Sequence, residues 1–214
     1  MSERGETYVP YWRRFPPIVY VMLALFIGVQ AAMSLAPAET QNAVFDAFAL
    51  HPNRFTMSGG FDHWYQAAVP LIAHAFLHVG WLHVGANCLG FVQVAPILAS
   101  RLGQFRFFVL FLVSAIGGAF MYIALQTTTP MVGASGAICG LFAAFFLSNG
   151  RTPREALAAP GVRQAIVLFL GINVVLVGLS GLPIAWQAHL GGFIAGAIVY
   201  PLLAPRAPPA GPWG

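Results

Sequence analysis

Residues 131–140 read Met-Val-Gly-Ala-Ser-Gly-Ala-Ile-Cys-Gly, with one hydroxyl group, that of Ser135, among small residues at the start of an apolar run. A buried serine commonly hydrogen-bonds its own backbone, so Ser135 alone indicates little about function. A second polar residue, His189, stands in a similar place, in Ala-His-Leu-Gly-Gly at the start of another apolar run. A hydroxyl group beside an imidazole is the minimum for an activated nucleophile and its base. The fold decides whether these two residues meet.

The composition of the whole chain is that of a membrane protein. Of its 214 residues, 58% are hydrophobic and 7% are charged, and the mean hydropathy is +0.76. A soluble domain needs more charge than this to cover its surface. The formal charge of +4 comes from arginines scattered between apolar runs. Because they form no basic face, we expect no nucleic-acid partner.

Six apolar runs are predicted to be membrane spans, since a helix needs about 20 apolar residues to cross the hydrocarbon core. In chain order the runs are 17–35, 81–100, 105–125, 132–148, 164–182 and 188–203. The predicted fold class is therefore an all-α membrane protein, a six-transmembrane-helix bundle.

The segments outside the spans divide the chain into three parts. Residues 1–14 are predicted to be a cytoplasmic N-terminal segment, residues 15–203 the membrane domain, and residues 204–214 a disordered, proline-rich cytoplasmic tail. Within the membrane domain, residues 36–68 form a long first loop dotted with aromatic side chains. Aromatic side chains favour the headgroup layer, so we expect this loop to be interfacial.

The arginines predict the orientation of the bundle. With six spans, both termini and the second and fourth connections share one side, and nine of the ten arginines lie on or beside it; only Arg54 lies opposite. Such an excess marks the cytoplasmic side, so both termini are predicted to be cytoplasmic. Spans two, four and six then run inward from the outer side. His83, Ser135 and His189 each lie within a turn of their span's start and therefore at similar depth.

Span two carries two polar residues, His83 and Asn87, four positions apart and so on one helix face. Polar groups within a membrane are costly and mark either function or a specific helix contact. In one interpretation the imidazole and the carboxamide donate N–H groups to a developing oxyanion. In the other they form interhelical hydrogen bonds. The sequence leaves both interpretations open.

Glycines at helical spacing predict close packing of spans four and six. Gly136 and Gly140 are four apart, and Gly192 and Gly196 follow His189 at i+3 and i+7. Small residues at such positions let two membrane helices approach closely. This packing would bring the His189 imidazole to the distance of about 2.6–3.2 Å from a serine oxygen that proton transfer requires. Neither span contains a carboxylate, so the unit would be a Ser-His dyad rather than a triad.

Three histidines, His74, His78 and His83, raise the alternative of a metal or haem site. The predicted spans contain no Asp or Glu, and the sequence has no His-Glu-x-x-His motif. A hydrolytic zinc site is therefore disfavoured, as is a transporter with a charged path through the spans. Haem held by two histidines stays open from composition alone. We predict no metal and no cofactor.

Together the motifs resemble the rhomboid family of intramembrane serine proteases. The matching residues are His74-x3-His78-x4-His83-x3-Asn87, Gly133-Ala134-Ser135-Gly136 and Ala188-His189-x2-Gly192-x3-Gly196, which with the six spans cover residues 15–203. Each motif is weak alone, whereas their joint order and spacing are specific. One departure is that many relatives carry a Trp-Arg pair in the first outer loop, where this chain reads Gln66-Ala67-Ala68-Val69-Pro70 and Trp64 has no adjacent arginine.

The resemblance implies a catalytic role for most of these residues. Ser135 would be the nucleophile, and His189 the general base and acid. The oxyanion would be bound by the backbone N–H of Ser135 and the side chains of His83 and Asn87. His78 would hold water or brace the site, with His74 in a supporting position.

The resemblance also implies the substrate and the location. We expect cleavage of peptide bonds in or near the transmembrane segments of single-span proteins, in the lipid bilayer of the cell (inner) membrane, with the active site open to the extracytoplasmic side. The substrate would come in between spans two and five, and the loop before span six would act as a cap. The alternative is a non-catalytic rhomboid-like protein that binds transmembrane helices for quality control. The oligomeric state is left unassigned.

Overall fold

The computed structural model describes residues 15–56, 60–125, 128–150, 152–179 and 185–205. Over these residues the chain is helical, without a β-strand beyond one isolated bridge. The predicted N-terminal segment 1–14 and residues 206–214 of the predicted tail lie outside the described residues. Residues 180–184, part of the loop that was expected to cap the site, also lie outside the described residues.

The helices follow one another along the chain with short connections. They are α1 (Pro17–Leu35), α2 (Ala38–Phe48), α3 (Pro52–Thr56), α4 (Trp64–Ala68), α5 (Pro70–Ala73), α6 (Trp81–Leu102), α7 (Gln104–Ala124), α8 (Ser135–Leu147), α9 (Pro153–Ala158), α10 (Pro160–Leu179) and α11 (Trp186–Leu203), with a 3₁₀ turn at His74–Phe76 before α6.

Three of the described helices, α1, α6 and α7, are long and apolar enough to cross a membrane. Helix α8 is apolar but has 13 residues, fewer than the roughly 20 that cross a typical hydrocarbon core. Helices α10 and α11 have 20 and 18 residues. The all-α class and the integral membrane character are confirmed. The count of six spans stays a prediction.

Helix boundaries match the predicted spans best where only local sequence decides them. Helix α1 occupies the predicted range, Pro17–Leu35. Span four was predicted from residue 132, but α8 begins at Ser135. The difference arises at Gly133, which has φ +118° and donates its N–H to the His74 carbonyl at 2.8 Å. Because this backbone conformation is outside the helical region, Ser135 becomes the first residue of the helix.

The first loop, 36–68, contains the three short helices α2, α3 and α4. An ion pair of 2.6 Å between Arg54 and Asp46 ties α3 to α2. Leu50 forms an antiparallel bridge with Met131, with N–H···O distances of 3.0 and 2.9 Å. The loop is therefore anchored to the segment before Ser135, although it lacks the Trp-Arg pair.

Aromatic packing fills the core between α1, α6 and α7. The fully buried rings of Phe26, Phe91, Phe107 and Phe111 have neighbouring centroids 5.5–6.3 Å apart. Aromatic pairs at such distances add about 0.5–1.5 kcal/mol each beyond their burial. This cluster fixes α6, the helix that carries His83 and Asn87.

Helices α8 and α11 touch through their backbones. A Cβ atom placed on Gly192 would collide with the carbonyl oxygen of Gly136, and one on Gly196 would collide with that of Gly140. The four glycines predicted to pack therefore lie in the contact between these helices. Only glycine permits an approach this close.

Helix α7 joins the same contact through residues that sequence reasoning did not single out. A Cβ on Gly191 would lie 2.5 Å from the carbonyl oxygen of Gly117. The fully buried Ser114 donates to the Leu110 carbonyl at 2.8 Å, and its side chain packs against Gly140. Helix α11 is thus held between α7 and α8, which fixes the position of His189 relative to Ser135.

Candidate active site

Ser135 and His189 lie in direct contact. The His189 Nε2 atom is 2.8 Å from the Ser135 Oγ atom, although the residues are 54 positions apart in the chain. Both side chains are half-buried. Ser135 is the first residue of α8 and His189 lies in the first turn of α11. The distance is within the range of about 2.6–3.2 Å in which a base can take a proton from a hydroxyl group.

The segment before Ser135 is held on both sides. Met131 is bridged to Leu50 of the first loop, and the Gly133 N–H bonds the His74 carbonyl at 2.8 Å. These two backbone contacts fix the direction in which the chain enters α8. They depend on residues more than 50 positions away, so no local pattern in the sequence could have predicted them.

His83 and Asn87 lie together against this segment. A Cβ on Gly133 would be 2.7 Å from Cε1 and Nε2 of His83 and 3.9 Å from Nδ2 of Asn87. The imidazole edge and the carboxamide therefore face the same place, two residues before Ser135. Asn87 is 5% exposed, and its Nδ2 donates to the His83 carbonyl at 2.9 Å, which uses one of its two amide protons.

His74 supports the site through its backbone and its ring. Its Nδ1 is 2.8 Å from the Pro70 carbonyl. Since a carbonyl only accepts, the His74 proton is on Nδ1. Burial, partly offset by the Pro70 hydrogen bond, lowers the pKa of His74 to about 4. At neutral pH the ring is therefore uncharged. Its hydrogen bond to Pro70 helps to hold His74, whose carbonyl accepts from the Gly133 N–H.

His78 lies beside His83, with ring centroids 5.1 Å apart in an edge-on arrangement. It is 2% exposed, and neither ring nitrogen has a hydrogen-bond partner among the described residues. Burial and the neighbouring His83 lower the pKa of His78 to about 4, while the Phe76 carbonyl acts in the opposite direction. The ring is thus neutral at pH 7.

The structure brings together the predicted nucleophile, base and oxyanion residues, and it reveals two further polar residues nearby. Gln30 and Ser34 of α1 line a pocket shared with His78. Their spacing of four within an apolar run was a signal that sequence reasoning passed over. Among the described residues, no group of three or more His, Cys, Asp or Glu side chains is placed to hold a metal ion.

Comparison with known proteins matches this geometry to one family. Residues 63–206 match the Rhomboid domain family. The chain is similar to rhomboid protease GluP of Bacillus subtilis (strain 168), at 24% identity over 199 residues, which is 93% of this chain and 37% of the relative. It is also similar to rhomboid protease GlpG of Serratia proteamaculans (strain 568), at 32% identity over 129 residues, which is 60% of this chain and 45% of the relative.

A third relative, rhomboid protease GlpG of Yersinia enterocolitica, is 30% identical over 129 residues. The matched part spans less than half the length of each of these relatives. The family match, by contrast, covers most of the present chain, including His83, Asn87, Ser135 and His189. On this basis the protein belongs to the rhomboid family.

Proposed function

We propose that this protein is an intramembrane serine endopeptidase that cleaves peptide bonds in or near the transmembrane segments of other membrane proteins. The observation that carries the proposal is the 2.8 Å contact between His189 Nε2 and Ser135 Oγ, made across two helices. A serine with a purely local role commonly hydrogen-bonds nearby backbone, whereas this hydroxyl contacts an imidazole from a distant helix. Names of the relatives, all rhomboid proteases, support the same activity.

In the first step the Ser135 Oγ attacks the carbonyl carbon of the scissile peptide bond while His189 Nε2 takes the hydroxyl proton. The tetrahedral intermediate collapses as His189 gives that proton to the leaving amine, so the C–N bond breaks and an ester with Ser135 remains. Neither span contributes a carboxylate to the motif, so we infer a dyad rather than a triad.

The oxyanion has donors from three directions. As the first residue of α8, Ser135 has a backbone N–H without an acceptor inside the helix, and the helix dipole favours negative charge there. The His83 ring and the second amide proton of Asn87 supply the other donors. Donors of this kind, fixed before reaction in a site of low dielectric, stabilise the charge where it develops.

The proposed function includes a membrane topology and a route for the substrate. We place six spans in the cell membrane, α1, α6, α7, α8, α10 and α11, with both termini cytoplasmic and the dyad near the outer surface. Single-span proteins would reach it from the bilayer, between α6 and α10. The excess of arginine on the side of the predicted cytoplasmic connections supports this orientation.

The test is cleavage of a single-span substrate by purified protein in liposomes, with labelling by a fluorophosphonate probe. Ser135→Ala and His189→Ala should each abolish both, while Ser100→Ala and His63→Gln, at exposed positions, should retain both. Cleavage that persists in both site variants would refute the dyad. A wild type that binds single-span peptides without cleaving them or reacting with the probe would identify the non-catalytic alternative.

A further inference from the structure

One face of α6 is exposed in the part of the chain that the structure describes. The helix contacts α8 at Gly90, where a Cβ atom would lie 3.4 Å from Ile138 Cγ2. It contacts α1 at Phe91, whose ring centroid is 5.5 Å from that of Phe26. Because a helix has about 3.6 residues per turn, Gln93 projects about 200° away from Phe91. The Gln93 side chain is exposed.

Four exposed side chains follow one another along this face, at intervals of four, three and four residues. They are Leu82, Ala86, Leu89 and Gln93, termed here the α6 seam. Leu82 is 85% exposed and Leu89 is 67% exposed. Residues at these intervals form the contact between two helices that cross with a left-handed twist, which is the commoner arrangement of membrane helices. The seam therefore has the pattern of a helix–helix interface.

Gln93 is the polar member of the seam and lies near the middle of the span. It follows Trp81 by 12 residues and precedes Leu102, the last residue of α6, by 9. Its Nε2 donates to the Leu89 carbonyl at 3.2 Å, which uses one of its two amide protons. The other amide proton and Oε1 have no partner among the described residues. Lipid chains offer neither a donor nor an acceptor, so an exposed amide at this depth favours contact with another protein.

A second copy of the chain offers both groups at the right depth. All copies insert in one orientation, because the distribution of arginine that sets it belongs to the sequence. A two-fold axis along the membrane normal then places each seam residue opposite its own counterpart. The Gln93 amide would meet an identical amide, which is both donor and acceptor. An unrelated helix would match it only with a polar side chain at the same depth.

We propose that two copies of this chain associate in the membrane through the α6 seam, with reciprocal hydrogen bonds between their Gln93 amides. The apolar members of the seam supply the packing, and the amides supply the register. A single polar residue within an apolar seam is known to fix both the register and the number of helices. Interhelical hydrogen bonds of glutamine also strengthen the association of membrane helices.

The seam also borders the proposed route of the substrate. A single-span substrate that comes in between α6 and α10 would run along the exposed face of α6, which a second copy would cover. Association and substrate binding therefore compete, and we expect the cleavage rate per molecule to fall as the protein becomes denser in the membrane. This consequence rests on the proposed peptidase function, whereas the association itself does not.

Association is measured by energy transfer between copies in liposomes, over a range of protein-to-lipid ratios. Donor and acceptor dyes are attached at Trp64→Cys, an exposed position in the first loop, in a cysteine-free background. Gln93→Met keeps the size of the side chain and removes the amide. We expect it to shift the midpoint of association to a protein density about tenfold higher, equivalent to about 1.4 kcal/mol. Gln93→Asn, which keeps an amide, should restore most of the affinity.

The same measurement can overturn the association. A wild type that shows no energy transfer at any density would refute it, as would a Gln93→Met protein that associates like the wild type. The matched control is Phe120→Leu, at a position on α7 that is 57% exposed, and it should leave the midpoint unchanged.

Cross-linking tests which face is used. In the cysteine-free background, Leu89→Cys should form a disulfide with its own counterpart on oxidation in liposomes, because the two-fold axis brings the pair together. Phe120→Cys on α7 should not. Cross-linking at Phe120→Cys without any at Leu89→Cys would place the contact on another face and overturn the proposal.

Competition is tested by the cleavage rate of a single-span substrate at low and high protein density. The wild type should lose most of its rate per molecule at the density where energy transfer shows association, and Gln93→Met should keep its rate to a density about tenfold higher. A constant rate per molecule in an associated wild type would overturn the competition. Slower cleavage by Gln93→Met at every density, with unchanged energy transfer, would show that the amide contacts the substrate instead. A wild type that never cleaves would refute the peptidase proposal and leave energy transfer and cross-linking to decide the association.

Discussion

Gly133 is the position at which one added methyl group should most disturb the proposed oxyanion site. Its φ of +118° is one that residues with a side chain rarely adopt. A Cβ atom there would lie 2.7 Å from Cε1 and Nε2 of His83, well inside the separation of about 3.5–4.0 Å at which carbon atoms pack. The Gly133 N–H is tied to the His74 carbonyl, so the backbone cannot easily retreat. The His83 ring must move instead.

Two costs follow for Gly133→Ala, and they are measured separately. Losing one oxyanion donor lowers kcat by about 10²–10³-fold in soluble serine proteases. A side chain in a sparsely populated backbone conformation costs about 1–3 kcal/mol of stability. KM should change little, because an oxyanion donor acts on the transition state more than on the bound substrate. Steady-state cleavage in liposomes gives kcat and KM, and unfolding in mixed micelles gives the stability.

The matched control is Gly85→Ala, also a glycine to alanine change and on the same helix as His83. A Cβ at Gly85 meets nothing within 4 Å among the described residues. We expect unchanged kcat and stability equal to the wild type or higher by about 0.5–1 kcal/mol, since alanine is the better helix former. Asn87→Ala, which removes a donor directly, should match the kcat loss of Gly133→Ala. A folded Gly133→Ala enzyme that cleaves at the wild-type rate would refute the assignment of His83 as a donor.

Three other results are expected. Gly192→Ala should push α11 away from α8 and abolish cleavage with a lowered melting temperature, whereas Gly171→Ala, where a Cβ meets nothing within 4 Å among the described residues, should alter neither. The free energy of unfolding should fall as the pH is lowered from 6.5 to 4. Burial lowers the pKa of His74 to about 4, so only the unfolded imidazole binds a proton in that range. The melting temperature should therefore be lower at pH 4.5 than at pH 7, and this difference should be smaller in His74→Gln. In a cysteine-free background, an impermeant maleimide should label Trp64→Cys in intact cells and Glu155→Cys only after lysis; the reverse pattern would invert the proposed topology.

Local sequence was enough to predict the helices and the candidate residues, but not the contacts between them. The apolar run 17–35 and the helix α1 coincide because about 20 apolar residues have few alternatives to a helix. Ser135 and His189 were found by their joint pattern, since an isolated serine or histidine in an apolar run is ambiguous. The structure adds their contact of 2.8 Å, which depends on packing that no single run encodes.

The parts that escaped prediction depend on contacts between distant segments. The start of α8 is set by the hydrogen bond from Gly133 to His74, and the first loop is ordered by the bridge from Leu50 to Met131. Local periodicity carries no information about either. Gln30 was different, because an amide within an apolar run is visible in the sequence. The pocket that Gln30 shares with His78, which lies 48 positions away in the chain, could not be predicted from the sequence.

Among the described residues, α10 and α11 contact the bundle in different ways. Helix α11 meets α8 backbone to backbone at Gly192 and Gly136, so displacing it would separate His189 from Ser135. Among the described side chains, Phe169 joins α10 to α8 and α11, with ring centroids 4.8 Å from Phe142 and 5.9 Å from Phe193. Such ring contacts are worth about 0.5–1.5 kcal/mol each and can reform after a shift. Loss of the Phe169 ring contacts would therefore leave the backbone contact between α8 and α11 intact.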